Sequence, residues 1–303
     1  MKVLCFGSLN IDYVYRVPHF VARGETLASA ALEVFSGGKG LNQSVALARA
    51  GAKVLHAGAI GAEGRFLLEE LAAAGVDTAL VEVLDGVRTG HAVIQRDESG
   101  DNCILLYGGA NRAITREQID RTLARFSAGD VLLLQNEISE GLYAARRAGE
   151  RGMRVVLNPS PMEESLLPLF ALADTLLLNE VEAAQFLGLP ADAAPELLID
   201  GLRRRLPETE LVLTLGARGA VYACGDTLLC QRAFPVRAVD TTAAGDTFTG
   251  FFLASRLSGA DAPAALRLAS AAAALAVTRP GAAPSIPTRG EAEAFLSRAE
   301  ADC

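Results

Sequence analysis

Short apolar runs rich in β-branched residues alternate along the chain with segments whose apolar residues recur at helical spacing. Candidate strands lie at 2–7, 53–60, 130–135, 154–158, 174–178 and 211–215. Candidate helices lie at 41–50, 63–74, 115–126, 140–150, 180–187, 196–205, 246–257 and 263–277. Steady alternation of strand and helix predicts right-handed crossovers and an α/β fold, with a mostly parallel central sheet covered by helices on both faces.

Two stretches interrupt this alternation. Residues 11–35 contain no convincing helical pattern, and residues 90–107 resemble two strands joined by a turn-rich segment at 97–102. Segments that leave a parallel sheet and pair antiparallel would form a small β-flap, approximately at 11–35 and 88–108, which could act as a lid that keeps water from a reaction. A static extension of the sheet edge accounts for the pattern equally well. In the absence of repeats or linkers, we expect a single domain over 1–303.

Composition narrows the class of protein. Half of the residues are hydrophobic, but aromatic residues make up only 6% and tryptophan is absent, which favours a layered enzyme core of Ala, Leu and Val. The net charge of −8 argues against binding to nucleic acid. There is no signal-peptide pattern or membrane-length apolar stretch, and the five cysteines lack metal-binding spacing. We therefore expect a soluble cytoplasmic protein that does not associate with membranes.

A run of small residues marks the first candidate for chemistry. Between Asp240 and an apolar helix expected to begin at Asp246, the chain contains two threonines and then Ala243–Gly245. Either Thr241 or Thr242 could cap the helix, so the run of small residues indicates close approach of the backbone to an anion such as phosphate. Asp246 could simply be a favourable acid in the first helical turn. We favour a general base beside an anion hole formed by the amides of 243–246.

A glycine-rich turn is the second candidate. Residues 36–42 contain three glycines within four positions and precede another helix, but the lysine is followed by glycine, so this is not a Walker A loop. A tight strand-to-helix connection is the simplest explanation of the turn alone. Asn10 and Asp12, just after the first strand, add an amide and a carboxylate, and such groups could bind a polyol.

These motifs together resemble the signatures of the PfkB carbohydrate kinase family, and the similarity extends over nearly the whole chain. Its most specific parts are 7–12, 37–42, 158–161, 179–182, 214–219, 240–246 and 276–281. The resemblance implies transfer of the γ-phosphate of ATP, with Mg²⁺, to a hydroxyl of a small sugar. Ribose is the sugar we expect. A kinase for deoxyribose, a nucleoside or a ketohexose, and a non-catalytic regulator that binds sugar or nucleotide, remain the alternatives.

The resemblance also implies roles for individual residues. Besides the base Asp246, the residues expected to bind the sugar are Asn10, Asp12, Gly37, Gly38, Lys39, Gly40, Asn42 and Glu137. The family's Asn-x-x-Glu motif would hold phosphate and, through water, Mg²⁺. The residues expected around the nucleotide are Asn179, Glu182, Thr214, Leu215, Gly216, Ala217, Arg218, Gly219, Gly245 and Ser270. The anion hole and base are Ala243, Ala244, Gly245 and Asp246.

Family members also bind a monovalent cation, usually K⁺, beside the anion hole. The matching ligands, mostly through backbone carbonyls, are Asp240, Thr242, Ala276, Arg279, Gly281 and Ser285. The chain departs from the family at Pro280, which stands in this loop, and at Ala243, where many relatives have glycine. By analogy with the family, we also expect a homodimer that pairs through the flap.

Overall fold

The computed structural model describes residues 1–99 and 101–301, and the side chains up to residue 299 apart from the gap. The strands are β1 Val3–Phe6, β2 Asn10–Arg16, β3 Ala31–Gly37, β4 Val54–Ile60, β5 Asp77–Val83, β6 Gly90–Arg96, β7 Asn102–Tyr107, β8 Val131–Leu134, β9 Arg154–Leu157, β10 Thr175–Asn179, β11 Glu210–Thr214, β12 Ala220–Cys224 and β13 Thr227–Gln231. The helices are α1 Lys39–Arg49, α2 Arg65–Ala73, α3 Arg116–Leu123, α4 Gly141–Glu150, α5 Leu167–Phe170, α6 Glu180–Leu187, α7 Pro195–Arg205, α8 Ala244–Leu257, α9 Ala262–Ala276 and α10 Arg289–Ala301. Within the described residues, no helix combines the length and apolar character needed to cross a membrane.

The central sheet has the strand order β13-β12-β11-β10-β9-β8-β1-β4-β5. Neighbouring strands from β5 to β11 pair in parallel, and β12 and β13 add an antiparallel hairpin at one edge. Parallel neighbours need crossover connections, and the helices between successive strands supply them. This architecture confirms the predicted α/β class and the mostly parallel sheet.

Both faces of the central sheet are covered. Leu4 and Phe6 of β1 point into one apolar core, which α3, α4, α6 and α7 complete. Val3 and Cys5 point into the other core, which α1, α2, α8 and α9 complete. Because side chains alternate between the faces of a strand, a sheet buried on both sides requires continuous apolar strands. That requirement explains why these strands read as uninterrupted apolar runs.

A separate four-stranded sheet has the order β3-β2-β6-β7. The pairs β2–β3 and β6–β7 are antiparallel, and the two hairpins join through a parallel pairing of β2 with β6. These strands come from the two segments assigned to the flap, whose movement as a lid remains a prediction. Apolar side chains on the outer strands are exposed to solvent, namely Leu32 and Val34 of β3 and Ile104, Leu105 and Leu106 of β7.

Elements at the periphery were not predicted from the pattern. Strand β5 lies at one edge of the central sheet and is only partly buried, so its alternation of apolar and polar residues is weak. The hairpin β12–β13 lies at the other edge, and β13 is mostly exposed. Helix α10 was also not predicted. Helices α1 and α8 each begin two residues earlier than expected, at Lys39 and Ala244.

Two glycines allow α1 to approach its neighbours closely. A Cβ on Gly40 would lie 2.4 Å from the Ser8 nitrogen, so the start of α1 rests against the backbone that follows β1. A Cβ on Gly250 of α8 would lie 2.4 Å from the Cβ of Ala46 on α1. Larger side chains at these positions would force the elements apart. The close contact between α1 and α8 brings the first turns of both helices to one site.

Candidate active site

The start of α8 forms a loop whose backbone amides border a cavity. Helix α8 has no side-chain cap, and its N-cap residue Ala243 has φ of 60°, in the left-handed region. Neither Thr241 nor Thr242, which could have capped this helix, does so, and the Thr242 hydroxyl instead donates to Asp240 Oδ1 at 2.6 Å. Residues 243–246 line a cavity of about 240 Å³. A helix N-terminus supplies amides without intrahelical acceptors, so this cavity suits an anion.

Asp246 lies buried at the edge of this cavity and is held through both carboxylate oxygens. Asn42 Nδ2 donates to Oδ2 at 3.0 Å, and Gln43 Nε2 donates to Oδ1 at 2.9 Å. A buried carboxylate needs such donors to offset the loss of hydration. The arrangement leaves an oriented proton acceptor next to the amides of α8.

Lys39 supplies positive charge in the same cavity. Burial opposes the charge on its ammonium group, but the carboxylates of Asp246, Glu137 and Glu182 outweigh burial and raise the pKa of Lys39. The lysine therefore stays protonated at neutral pH. Its ammonium group can hold a phosphate oxygen through charge attraction and hydrogen bonding.

The carboxylate of Asp12 lies against the glycine-rich turn. A Cβ on Gly37 would lie 2.2 Å from Asp12 Oδ2, so only glycine leaves room for this carboxylate. Burial, and then the charge of Glu137, raise the pKa of Asp12 to about 6. Gly38 has φ of 96°, which a side chain would strain. The glycines of the turn thus leave room for the Asp12 carboxylate beside the start of α1.

A second cavity has a volume of about 270 Å³. Its lining includes Asn10, Leu106, Asn111 and Glu137. Asn111 Nδ2 donates to Asn10 Oδ1 at 2.8 Å. Glu137 Oε2 accepts hydrogen bonds from the Ser8 hydroxyl and, at 3.0 Å, from the backbone amide of Lys39. Leu106 belongs to β7, so the four-stranded sheet borders a polar pocket of the size of a small sugar.

Asn179 and Glu182 line the anion cavity and also cap α6. The Asn179 Oδ1 accepts from the Glu182 amide at 2.9 Å, and Glu182 Oε2 accepts from the Asn179 amide at 2.9 Å. This reciprocal pair is a capping box. Burial raises the pKa of Glu182. The Asn-x-x-Glu motif therefore has a local structural role in addition to its position beside the cavity.

An apolar cavity of about 440 Å³ adjoins the anion cavity and shares lining residues with it. The predicted nucleotide residues that line it are Thr214, Gly216, Ala217, Gly219, Gly245 and Ser270. Phe234, Pro235 and Val236 form part of its apolar wall. Leu215 instead belongs to the hydrophobic core, and Arg218 pairs with Glu180 at the surface. A flat aromatic base fits such a cavity.

The segments assigned to the cation site lie side by side. The Gly281 amide donates to Asp240 Oδ2 at 3.0 Å, and Arg96 Nη2 of β6 lies 3.6 Å from the same oxygen. Burial works against ionisation, but the amide and hydroxyl donors and Arg96 outweigh it and lower the pKa of Asp240. Ser285 Oγ donates to the Ala282 carbonyl, and Arg279 pairs with Glu291. The carbonyl of Ala276 accepts a hydrogen bond from the Arg279 amide at 3.1 Å.

Several polar residues of the site were not predicted. They are Ser8, Gln43, Asn111, Gln135 and Asn158, all hydrogen-bonded within or beneath the cavities. Two of them belong to motifs already recognised, since Ser8 lies in 7–12 and Asn158 begins 158–161. Gln43 directly follows Asn42, so its place beside a predicted sugar ligand was a usable signal. Nothing in the sequence alone distinguished Gln135 or Asn111.

Comparison with known proteins agrees with this geometry. The family model described as "pfkB family carbohydrate kinase" matches residues 1–289. A ribokinase of Haemophilus influenzae is 37% identical over 86% of this chain and 87% of the relative. A deoxyribokinase of Salmonella typhi is 32% identical over 89% of this chain and 90% of the relative. The structure of Arabidopsis thaliana ribokinase with ribose and ATP superposes with a TM-score of 0.86 at 28% identity, covering 97% of this chain and 98% of that one.

The fold and these cavities define an α/β enzyme of the small-molecule kinase class. The chain belongs to the pfkB family of carbohydrate kinases. Family membership confirms the resemblance and the enzyme class that the sequence predicted. The roles of individual residues do not follow from membership and are proposed below.

The raised pKa of Asp12 predicts how its charge affects stability. Because the folded-state pKa of about 6 exceeds the ordinary value, ionisation of Asp12 costs stability, and the cost appears as the pH rises from about 4 to above 6. Asp12→Asn removes this ionisation. Relative to wild type, the variant should gain on the order of 1–3 kcal/mol in the free energy of unfolding at pH 8 and little at pH 4.

Urea unfolding at a series of pH values measures this difference. The exposed Asp85 offers a matched control, since Asp85→Asn should follow the wild-type pH dependence throughout. If Asp12→Asn and wild type keep a constant difference in the free energy of unfolding from pH 4 to pH 8, the proposed ionisation cost is wrong.

Proposed function

We propose that this chain is a ribokinase, which transfers the γ-phosphate of ATP to D-ribose and releases ribose 5-phosphate and ADP. The observation that carries the proposal is the place of Asp246, a buried carboxylate oriented by Asn42 and Gln43 at the helix start that borders the anion cavity. The polar pocket containing Asn10 and Glu137 suits the sugar, and the apolar cavity suits the adenine of ATP. The ribokinases among the relatives support ribose as the acceptor.

In this proposal, Asp246 accepts the proton of the attacking sugar hydroxyl as the oxygen approaches the γ-phosphorus. The amides of 243–246 hydrogen-bond the phosphoryl oxygens, where negative charge accumulates in the transition state. Lys39 adds a positive charge on the same side of the cavity. These groups are fixed before substrate binds, so little reorganisation is needed during transfer.

The residues beside the anion cavity also suit a magnesium ion bound to the nucleotide. Glu182 and Asn179 provide carboxylate and amide oxygens at the cavity wall, which are the donor types that Mg²⁺ accepts directly or through water. When bound, Mg²⁺ would neutralise charge on the phosphate oxygens. We propose that these two residues hold it, and that Asp12 and Asn10 orient the sugar for attack.

Deoxyribose is the second candidate acceptor. The deoxyribokinase relative matches this chain over a share similar to that of the ribokinase relative. The two sugars differ by one hydroxyl group. A site whose buried carboxylate accepts hydrogen bonds from sugar hydroxyls discriminates against an acceptor that lacks one of them. Asp12 is therefore the residue on which we expect the choice between the two sugars to depend.

Asp246→Asn tests the proposed base, and a panel of acceptors tests the substrate. We expect wild-type protein with MgATP to release ADP fastest with ribose among ribose, deoxyribose, fructose and adenosine. The near-isosteric amide cannot accept the proton, so kcat should fall by ~10² to 10⁴ while ADP affinity changes little. A coupled assay of ADP release measures kcat, and calorimetry measures ADP affinity.

The exposed Asp192 supplies a control, since Asp192→Asn should match wild type. Retention of more than about a tenth of wild-type kcat by Asp246→Asn would exclude it as the general base. Absence of ADP release with every sugar in the panel would instead exclude sugar kinase activity under these conditions.

The loop that contains Asp240 is the candidate site for a monovalent cation. The Gly281 amide donates to Asp240 Oδ2, so the segment 276–285 lies beside this carboxylate, although Arg96 already places a positive charge near the same oxygen. We propose that K⁺ binds there and orders the neighbouring residues 243–246 through the loop. Activity should then rise several-fold when K⁺ replaces tetramethylammonium at fixed ionic strength, with Mg²⁺ essential throughout.

The matched variant is Arg96→Gln. Removal of the guanidinium leaves the potential at Asp240 more negative, so the response to K⁺ should increase. The midpoint of thermal unfolding in K⁺ and in tetramethylammonium offers a readout that does not depend on activity. A response to K⁺ that is flat in both proteins, by rate and by thermal midpoint, would contradict the proposed site.

The exposed apolar residues of the four-stranded sheet support the expected homodimer. Leu105 is 71% exposed on β7 and lies in a strand exposed along its whole length, which a second copy could cover. Sedimentation velocity should give a dimer for wild type and a monomer for Leu105→Glu. Leu197, 57% exposed on α7, provides the control, because Leu197→Glu should remain dimeric. A wild-type monomer at micromolar concentration would contradict the proposal.

We also propose a cytoplasmic location, which the free cysteines support and cell fractionation would test.

A further inference from the structure

We propose that Gln43 is a positioning residue for the base, which holds the carboxylate of Asp246 in one orientation. The inference rests on the proposed function, because it assigns Gln43 a role only through Asp246. It concerns a residue for which neither the family resemblance nor the similar proteins supplied a role. The argument begins from the hydrogen bonds of a single buried amide.

The side chain of Gln43 is fully buried on α1 and makes three hydrogen bonds. Its Nε2 donates to Asp246 Oδ1 at 2.9 Å and to Asn158 Oδ1 at 2.8 Å. Its Oε1 accepts from Gln135 Nε2 at 2.6 Å. Asn158 Nδ2 in turn donates to the backbone carbonyl of Leu177 at 3.0 Å, on β10. The base is thus connected through amides to the central sheet.

These bonds determine which way the Gln43 amide points. An amide has two donor hydrogens on nitrogen and an acceptor oxygen. Two acceptors, Asp246 and Asn158, converge on one end of Gln43, and a donor from Gln135 meets the other end. A reversed amide would place its oxygen against the carboxylate and leave both acceptors without donors, at a high cost in a buried site. Gln135 therefore helps to keep the donor end of Gln43 directed at Asp246.

A donor fixed in this way restricts the motion of a carboxylate. With Asn42 bonded to Oδ2 and Gln43 to Oδ1, the plane of the Asp246 carboxylate cannot rotate freely, so the remaining lone pairs keep a constant direction. A base needs this property, since it must be aligned when the sugar hydroxyl arrives.

Gln43→Leu is the direct test, because leucine fills similar volume without donating. We expect kcat to fall about 10- to 100-fold, as the loss of a hydrogen bond to a charged group corresponds to such a factor, while KM for ATP changes little. The buried Gln118, which donates to the Gly58 carbonyl at 2.8 Å, supplies the control. Gln118→Leu should leave kcat unchanged.

A double mutant separates positioning from a structural role. In the Asp246→Asn background, Gln43→Leu should change the residual kcat by less than about twofold, because the two residues act as a unit. A purely structural role would lower kcat by the same factor in both backgrounds. Equal factors in the two backgrounds would overturn the proposal.

A second variant keeps the test decisive if Gln43→Leu folds poorly. Gln135→Leu leaves both bonds to Asp246 in place and removes the donor to Gln43 Oε1, together with a weak hydrogen bond to the Cys5 sulfur. It should lower kcat by a smaller factor than Gln43→Leu does, and an unchanged kcat in a folded Gln135→Leu protein would also overturn the inference. Circular dichroism and ADP binding establish folding. Failure of wild type to phosphorylate any sugar would contradict the proposed function, whereas an active wild type with unaffected variants would contradict this inference alone.

Discussion

The burial of the Asp246 carboxylate is the constraint on which the site depends. A carboxylate removed from water needs hydrogen-bond donors in place of its hydration, and both donors here come from consecutive residues at the start of α1. Helices α1 and α8 must therefore cross at contact distance. Gly250 permits that crossing, and Gly40 seats α1 against the backbone after β1. The glycine-rich turn and the helix crossing thus both help to bring hydrogen-bond donors to the Asp246 carboxylate.

The charged side chains around the cavity are mostly negative. Three carboxylates, Asp246, Glu137 and Glu182, raise the pKa of the single lysine they share, while burial and Glu137 raise that of Asp12. Negative side chains therefore outnumber positive ones before any phosphate arrives. Amides at the start of α8 and a metal ion on the nucleotide would be needed to offset added phosphate charge. If the nucleotide binds here as proposed, its binding would rely on oriented dipoles more than on cationic side chains.

The sequence pattern predicted the central layers well, because the burial of each strand and helix there determines its own pattern of apolar residues. Strands buried on both faces must be apolar throughout, and the helices that cover them must be amphipathic, so β1, β4 and α8 were evident. Edge elements such as β5 and β13 lack that constraint and were missed. Motifs indicated Asp246, Asn42 and Asp12 as site residues. The orientation of Gln43 by Gln135 depends on contacts between elements distant in sequence, which no local pattern contains.

Ala243 adopts a left-handed conformation that costs an alanine on the order of 1 kcal/mol and that a glycine would adopt without strain. The methyl group also removes backbone states that a glycine could visit in the loop. A loop with alanine at this position therefore loses less conformational entropy when phosphate binds. This smaller entropy loss offsets part of the backbone strain at Ala243. Nucleotide binding by this chain should accordingly show a less unfavourable entropy, at a given temperature, than binding by a relative whose loop begins with glycine.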